Sequence, residues 1–140
     1  MTVYIRSKII GSGSYLPKKI LTNDDLSKIV DTNDEWIVER TGIKQRHIVA
    51  ENEMCSDLGT IAAQKALESA EIDAKDIDMI ILATTTSDLT FPATAVKIQQ
   101  NLNAKNAFAF DIQAVCAGFV YALTTADQYI RSGMAKKVLV

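Results

Sequence analysis

The run of five apolar residues Met79–Ala83 is the feature that most constrains the fold of this chain. Side chains of a strand point alternately to opposite faces, so a strand formed by this run would be apolar on both faces. Such strands are typical of the middle of a parallel sheet that helices cover on both sides. The run therefore predicts a buried central strand in an α/β domain.

Helical and strand patterns alternate around this central strand. Capping residues and apolar periodicity predict helices at residues 56–70, 92–102 and 117–132 and a further strand at residues 107–112. Ser56 is the expected cap of the first helix, and Gly133 follows the last one. The alternation predicts a mainly parallel sheet flanked by helices.

Turn and cap signals organise the amino-terminal third. Residues 3–13 are predicted as a first strand that ends at glycines. Asn23 predicts the amino-terminal cap of a short helix. Thr32, followed three residues later by Glu35, gives the capping-box pattern of a second short helix that ends near Gly42.

Cys116 lies where the strand at 107–112 gives way to the last helix. A thiol at the start of a helix meets uncapped backbone N–H groups and the positive end of the helix dipole, and both favour the nucleophilic thiolate. Its neighbours Ala114, Ala117 and Gly118 leave room for a substrate carbonyl beside the sulfur. An inert core cysteine is the alternative, because that is the commoner role of a cysteine flanked by apolar residues.

Trp36 and Arg40 form a second candidate site. Residues four apart on a helix share one face, so an indole plane and a guanidinium can together meet a flat base and a phosphate. The alternative is a half-buried tryptophan beside an arginine in a surface salt bridge. Phe91, which precedes Pro92 after a polar loop, is a third candidate, with a plug of the core as its alternative.

His47 and Cys55 are two further residues whose side chains could act in catalysis. As the only histidine, His47 is a candidate base for Cys116, since thiol nucleophiles are commonly activated by an imidazole. Cys55 lies in a polar segment without the small neighbours of Cys116, which favours a non-catalytic thiol.

Composition restricts the functional classes. The 140 residues suffice for a domain with its own core, and a net charge of −2 gives no electrostatic footprint for nucleic acid. No apolar run reaches the ~20 residues needed to span a membrane, and the amino terminus lacks a signal-peptide pattern. Two cysteines do not make a disulfide framework, so we expect a cytoplasmic protein.

Residues 110–119, around Cys116, resemble the nucleophile region of the thiolase-fold condensing enzymes, specifically β-ketoacyl-acyl-carrier-protein synthase III. The resemblance extends from Lys8 to Val140 through further blocks in the same order. These blocks are residues 11–17, 31–37, 40–43, 46–48, 83–86 and 91–92. Several specific motifs in the right order identify the chain as similar to this family.

The resemblance implies a thiolase-like α/β fold and the amino-terminal half of it, with a mainly parallel mixed sheet flanked by helices. Members of the family are built from two similar halves and are considerably longer than this chain. We therefore expect residues 1–140 to form one half-domain whose second half is absent. The apolar run at residues 138–140 is typical of a strand entering a sheet, so we expect Val140 to be a truncation point.

The implied activity is that of an acyltransferase. It performs a decarboxylative Claisen condensation of an acyl-coenzyme A, acetyl-coenzyme A above all, with malonyl-acyl-carrier protein, and so initiates fatty-acid synthesis. Cys116 would carry the acyl group. The side chains at the mouth of the substrate tunnel that would contact coenzyme A are those of Thr32, Trp36 and Arg40. Phe91 would help to close the acyl pocket of the partner subunit in a homodimer.

The resemblance also bears on what the chain lacks. No metal and no cofactor is implied, because the coenzyme A thioester is itself a substrate. The catalytic histidine and asparagine of the family come from the second half, which argues against His47 as the base and predicts that this chain alone is inactive. A catalytically silent fragment acting only through dimerisation is one alternative. A related condensing enzyme of the hydroxymethylglutaryl or polyketide type is another, and acyl chain length stays open.

Overall fold

The structure is a computed structural model that describes residues 5–140, which form two compact units. The smaller unit is Leu16–Glu53, and the larger combines residues 5–15 with Met54–Val140. Each unit contains one sheet.

The larger unit is built on a parallel three-stranded sheet. Its elements are α3 (Cys55–Ala70), β3 (Met79–Ala83), α4 (Thr94–Leu102), β4 (Phe108–Ile112), α5 (Gly118–Arg131) and β5 (Val138–Leu139), with short 3-10 turns at Ala74–Asp76 and Val115–Ala117. The strand order is β4-β3-β5, and both neighbours run parallel to β3. The predicted central strand is therefore confirmed.

Helices cover both faces of this sheet. Ile80 of β3 packs with Leu67 of α3 and Ile98 of α4, whereas Met79 and Ile81 face the opposite side, where α5 packs. Successive strand side chains point to opposite faces, so a run that is apolar at every position can serve two helical layers at once. The fold class expected from the sequence, a mainly parallel α/β layer, is confirmed.

The smaller unit pairs two short strands and two short helices. Its elements are β1 (Lys19–Thr22), α1 (Asn23–Ser27), α2 (Asp34–Thr41) and β2 (Gln45–Ile48). The strands are antiparallel, and Thr22 lies opposite Gln45. Helix α2 ends as predicted at Gly42, which has a φ of 71° and donates its backbone N–H to Val38 O at 2.8 Å.

Each of the three predicted amino-terminal helix caps is displaced by a residue or two. Thr22, not Asn23, caps α1 and forms a capping box with Asp25. The cap of α2 is Asn33 instead of Thr32, and its side chain accepts from Trp36 N at 2.8 Å. Helix α3 starts before Ser56, whose backbone N–H donates to Asp88 from the loop after β3.

The predicted first strand is wrong over the part that the structure describes. Residues 5–17 form no regular strand, and Val3 lies outside the described residues. The segment packs against α3 instead: a Cβ on Gly13 would lie 2.3 Å from Ala62 O, and one on Gly11 would lie 2.5 Å from Ala66 O. The glycines thus serve a packing contact along the helix and not the end of a strand.

Candidate active site

The carboxyl ends of β3 and β4 lie side by side and define one edge of the sheet. Ala83 pairs with Ile112, and Thr84 N donates to Ile112 O at 3.2 Å. The loop at residues 84–93 leaves β3 at this edge, and the segment at residues 113–117 leaves β4 there. Loops at the carboxyl edge of parallel strands are the usual place for a binding site in α/β proteins.

Cys116 lies at this edge, in the 3-10 turn that leads directly into α5. Its thiol is free and its side chain is exposed. No side chain caps the start of α5, where the backbone N–H groups of Ala117 and Gly118 donate to Ala114 O and Val115 O within the preceding turn. The predicted position of Cys116, at the beginning of a helix, is confirmed.

Val115, directly before the cysteine, has an unusual backbone conformation. Its φ is 47°, in the left-handed region that β-branched residues rarely adopt. Such a conformation costs on the order of 1–3 kcal/mol and is found mostly at functional sites. The turn that carries Cys116 therefore keeps Val115 in a backbone conformation that valine disfavours.

The start of α5 approaches β3 closely because Gly118 has no side chain. A Cβ on Gly118 would lie 3.3 Å from the Cβ of Ala83. Ala114 and Ala117 on either side of Cys116 are small residues with no bulk to separate the turn from the sheet. The small residues noted in the sequence thus let the helix start, the thiol and the sheet edge come together.

Cys55 occupies a different environment. It is the first residue of α3, is half-buried, and its Sγ lies 3.7 Å from Thr84 Oγ1 within hydrogen-bond reach. Cys55 is therefore less exposed than Cys116, and its thiol has a hydroxyl group within reach.

Asp111 ties the strand before Cys116 to the neighbouring helix. Its carboxylate accepts from Thr94 N and Ala95 N, each at 2.7 Å, and so satisfies the first turn of α4. Sequence reasoning did not single out Asp111. The signal that could have found it is a lone carboxylate in the otherwise apolar strand β4.

Asp88 anchors the loop at residues 84–93. Its side chain has no exposed surface and accepts from Ser56 N at 3.0 Å and from Lys97 Nζ at 2.9 Å, while its backbone N–H donates to Thr94 Oγ1 at 2.9 Å. Burial by itself raises the pKa of Asp88, but the hydrogen bonds from Ser56 and Lys97 outweigh it and hold the pKa below the ordinary value. This second carboxylate was also missed, because nothing local distinguishes it in a polar loop.

Phe91 projects from the loop that Asp88 anchors. Its side chain is 87% exposed within the described residues, which excludes the plug of the core considered as its alternative. The predicted place of Phe91, in the loop between a strand and a helix, is confirmed, since α4 begins at Thr94.

Trp36 and Arg40 share one face of α2, as their spacing predicts. The guanidinium Cζ of Arg40 lies 4.9 Å from the centre of the Trp36 ring, and the tryptophan is 52% exposed. Within residues 5–140 no salt bridge of Arg40 is found, in contrast to the alternative considered above. Thr32 is half-buried and precedes the Asn33 cap of this helix.

His47 lies on β2, where its Nδ1 is hydrogen-bonded to the backbone oxygen of Pro17. The ring therefore holds the segment before β1 against the two-stranded sheet. No cluster of three or more metal-ligating side chains occurs among residues 5–140. In the same part of the chain, each helix is too short or too polar to cross a membrane.

Comparison with known proteins shows which family this chain resembles. The family model of 3-oxoacyl-[acyl-carrier-protein] synthase III matches residues 110–140. The β-ketoacyl-[acyl-carrier-protein] synthase III of Ehrlichia canis is 62% identical over 135 residues, which make up 96% of this chain and 42% of that protein. The crystal structure of 3-oxoacyl-[acyl-carrier-protein] synthase III from Aquifex aeolicus superposes with a TM-score of 0.89 at 54% identity, over 94% of this chain and 42% of that one.

A further structural neighbour is the priming β-ketosynthase of the R1128 polyketide biosynthetic pathway. It has a TM-score of 0.88 at 36% identity, over 96% of this chain and 41% of that one. The chain thus spans about two fifths of the length of the proteins that it matches.

Fold and site together define an α/β chain of the thiolase-like class with an exposed cysteine where a strand gives way to a helix. Within that class the chain is similar to β-ketoacyl-acyl-carrier-protein synthase III over nearly its whole length, which confirms the resemblance recognised in the sequence.

Proposed function

We propose that this chain is the amino-terminal part of a β-ketoacyl-acyl-carrier-protein synthase III, which condenses an acyl-coenzyme A, acetyl-coenzyme A above all, with malonyl-acyl-carrier protein. The observation that carries the proposal is the exposed Cys116 thiol at the uncapped start of α5. The similarity to the β-ketoacyl-[acyl-carrier-protein] synthases III of Ehrlichia canis and Aquifex aeolicus supports the same reaction class.

In the first stage, the Cys116 thiolate attacks the thioester carbonyl of acyl-coenzyme A. The bond between the acyl carbon and the coenzyme A sulfur breaks, and coenzyme A leaves as a thiol with the proton that Cys116 gave up. Backbone N–H groups near the start of α5 are the proposed donors to the tetrahedral oxyanion. The product of this stage is an acyl-Cys116 thioester.

In the second stage, the malonyl group loses carbon dioxide, and the electron pair of the broken C–C bond forms an enolate. The enolate carbon attacks the acyl carbon, the C–S bond to Cys116 breaks, and the thiolate is regenerated. Enolate charge requires hydrogen-bond donors, which the resemblance assigns to a histidine and an asparagine outside this chain. His47, whose Nδ1 is bonded to Pro17 O, supplies neither role in this proposal.

Helix α2 is the proposed contact for the coenzyme A portion. The half-exposed Trp36 ring offers a stacking surface for adenine, and Arg40 offers a cation for phosphate. Stacking of a base on an aromatic side chain contributes about 1–3 kcal/mol. Thr32, just before the helix, is proposed as a third contact.

Phe91 is the proposed contribution to a partner subunit. Exposing a large apolar side chain to water is unfavourable, and covering it by a partner is favourable. The 87% exposure of Phe91 therefore favours a role at an interface. We therefore propose a homodimer.

The proposed function also includes a cytoplasmic location and no cofactor beyond the coenzyme A thioester substrate. It also includes one half-domain formed by residues 1–140.

A priming synthase of a polyketide pathway is the second candidate function. The structural neighbour of that type, at 36% identity and a TM-score of 0.88, favours it over a hydroxymethylglutaryl-type enzyme. The two candidates share the chemistry at Cys116 and differ in the acyl donor and in the carrier protein that brings malonate.

The test is the formation of β-ketoacyl-acyl-carrier protein from acetyl-coenzyme A and malonyl-acyl-carrier protein by the purified natural-length protein. Cys116→Ser should abolish product formation, and the matched Cys55→Ser should retain most of it. Activity that persists in Cys116→Ser would refute the nucleophile assignment. Turnover only with longer acyl donors and a different carrier protein would favour the priming synthase, and no turnover with any acyl donor would contradict the proposed condensation.

A further inference from the structure

Asn23 is a buried polar side chain that the proposed reaction does not use. It is the first residue of α1 and is 1% exposed. Its Nδ2 donates to Asp34 Oδ1 and to Ile43 O, each at 2.7 Å, and its Oδ1 accepts from Arg46 Nη1 at 2.9 Å. Both ends of the carboxamide are therefore engaged.

The partners of Asn23 lie at the two ends of helix α2. Asp34 is the first residue of α2, and Ile43 follows its Gly42 cap. A helix of eight residues is about 12 Å long, so one carboxamide holds both ends of an element several times its own size. The third partner, Arg46, belongs to β2 and connects the helix to the sheet of the same unit.

Only a short carboxamide satisfies this arrangement. The Asp34 carboxylate and the Ile43 carbonyl both need a donor, whereas the Arg46 guanidinium needs an acceptor. An aspartate at position 23 would accept from Arg46 but would present oxygen to two acceptors. An apolar residue at this buried position would remove all three of the bonds that the Asn23 side chain makes.

We propose that Asn23 is a positioning residue for coenzyme A recognition. By holding both ends of α2, it fixes the direction in which Trp36 and Arg40 present the stacking surface and the cation. The proposal rests on the coenzyme A contacts assigned to α2 under the proposed function. Asn23 itself touches neither the substrate nor the reacting atoms.

Asn23→Asp in the natural-length protein is the principal test. Displaced contacts far from the chemistry can cost up to about a hundredfold, and we expect the KM for acetyl-coenzyme A to rise about tenfold. The kcat with acetyl-N-acetylcysteamine, a thioester that lacks the nucleotide, should stay unchanged. Asn106→Asp is the matched control, because Asn106 is exposed and makes its bond to Lys75 O in the other unit.

The double variant Asn23→Asp with Asp34→Asn tests the mechanism. In this variant the carboxamide introduced at position 34 can donate to the carboxylate introduced at position 23, which restores the contact between these two positions in the reverse direction. Arg46 keeps its acceptor, and only the bond to Ile43 O stays lost. We expect the KM for acetyl-coenzyme A to return to within about threefold of the wild-type value, as double-mutant coupling of contacting residues allows. The double variant also serves if Asn23→Asp alone fails to fold.

Trp36 fluorescence separates this inference from the proposed function, since Trp36 is the only tryptophan of the sequence. If coenzyme A leaves the wild-type fluorescence unchanged, the contact assigned to α2 fails and the inference falls with it. If wild-type fluorescence responds and Asn23→Asp binds coenzyme A equally well, only the role of Asn23 is overturned. Equal losses with both thioesters, or no rescue by Asp34→Asn, would also overturn it.

Discussion

At the scale of single residues, the two cysteines differ in access and in hydrogen bonding. Cys116 is exposed at the start of α5, whereas Cys55 is half-buried and within hydrogen-bond reach of Thr84 Oγ1. Accessibility governs how quickly a reagent in solution reaches a thiol. The two thiols should therefore react at different rates in the folded protein.

Brief treatment of the folded natural-length protein with iodoacetamide should alkylate Cys116 well before Cys55. Peptide mapping by mass spectrometry after short exposures measures the two rates separately. In denaturant the difference should disappear, which controls for the intrinsic reactivity of the peptides. Faster modification of Cys55 in the folded state would contradict the environment described for Cys116.

The identities of neighbouring residues explain why the helix caps could be predicted only approximately. Thr22 and Asn23 are adjacent and both are good caps, and so are Thr32 and Asn33. The choice between Thr22 and Asn23 depends on Asp34, Ile43 and Arg46, which reach Asn23 only in the folded unit. The Cys116 site was predictable because the change from strand to helix is local.

At the scale of elements, the segment before β1 is fixed by its contact with α3. A Cβ on Gly13 would lie 2.3 Å from Ala62 O and 2.4 Å from Ala66 N, both backbone atoms that cannot move aside. A Cβ on Gly59 would meet Ile98 Cδ1 at 2.6 Å, which is the mobile end of a side chain. The two glycines are therefore expected to differ in their tolerance of alanine.

Gly13→Ala should lower the free energy of unfolding by about 3 kcal/mol, because overpacking against a rigid backbone is costly. Gly59→Ala should change it by less than about 1 kcal/mol, since the helix propensity gained in α3 offsets the shift of Ile98. Urea unfolding of both variants measures the difference through the midpoint. A Gly13→Ala protein as stable as the Gly59→Ala protein would contradict the packing described.

Asp78 joins β5 to the start of β3. The backbone N–H groups of Lys137 and Lys136 donate to its Oδ2 at 2.9 and 2.7 Å and hold the pKa of Asp78 below its ordinary value of 3.8. A lowered carboxyl pKa contributes stability that is present above the unfolded-state value and is lost as the pH falls through the folded-state value.

Asp78→Asn should accordingly lower the free energy of unfolding at neutral pH by about 1 kcal/mol. The gap between the variant and the wild type should narrow as the pH falls below about 4, because the wild-type carboxylate is then protonated. Urea titrations at a series of pH values measure this gap. A gap that stays constant through the acid range would show that the carboxylate charge does not support β5.

Strands and helices could be predicted from the sequence where the local pattern of apolar residues by itself determines the structure. Met79–Ala83 is apolar on both faces, and this alone requires cover on two sides. The first strand was misassigned because its glycines could end a strand or approach a helix, and only the position of α3 decides between these.

At the scale of the whole molecule, α5 presents large apolar side chains away from the sheet. Phe119, Val120 and Tyr121 are each more than half exposed, although the opposite side of the helix packs in the core. Exposed apolar patches of this kind are typical of interaction surfaces. This surface agrees with our proposal that the chain is part of a longer enzyme, as does its coverage of 42% of the relatives.

Acylation of Cys116 by acetyl-coenzyme A is the most direct test of its proposed role as the nucleophile. The natural-length protein is incubated with acetyl-coenzyme A without malonyl-acyl-carrier protein, so that the reaction stops after the first stage. Digestion and mass spectrometry should find one acetyl group, on the peptide that contains Cys116, and none in Cys116→Ser. An acetyl group on Cys55, or an unmodified Cys116 while acetyl-coenzyme A is consumed, would contradict the role of Cys116 as the nucleophile.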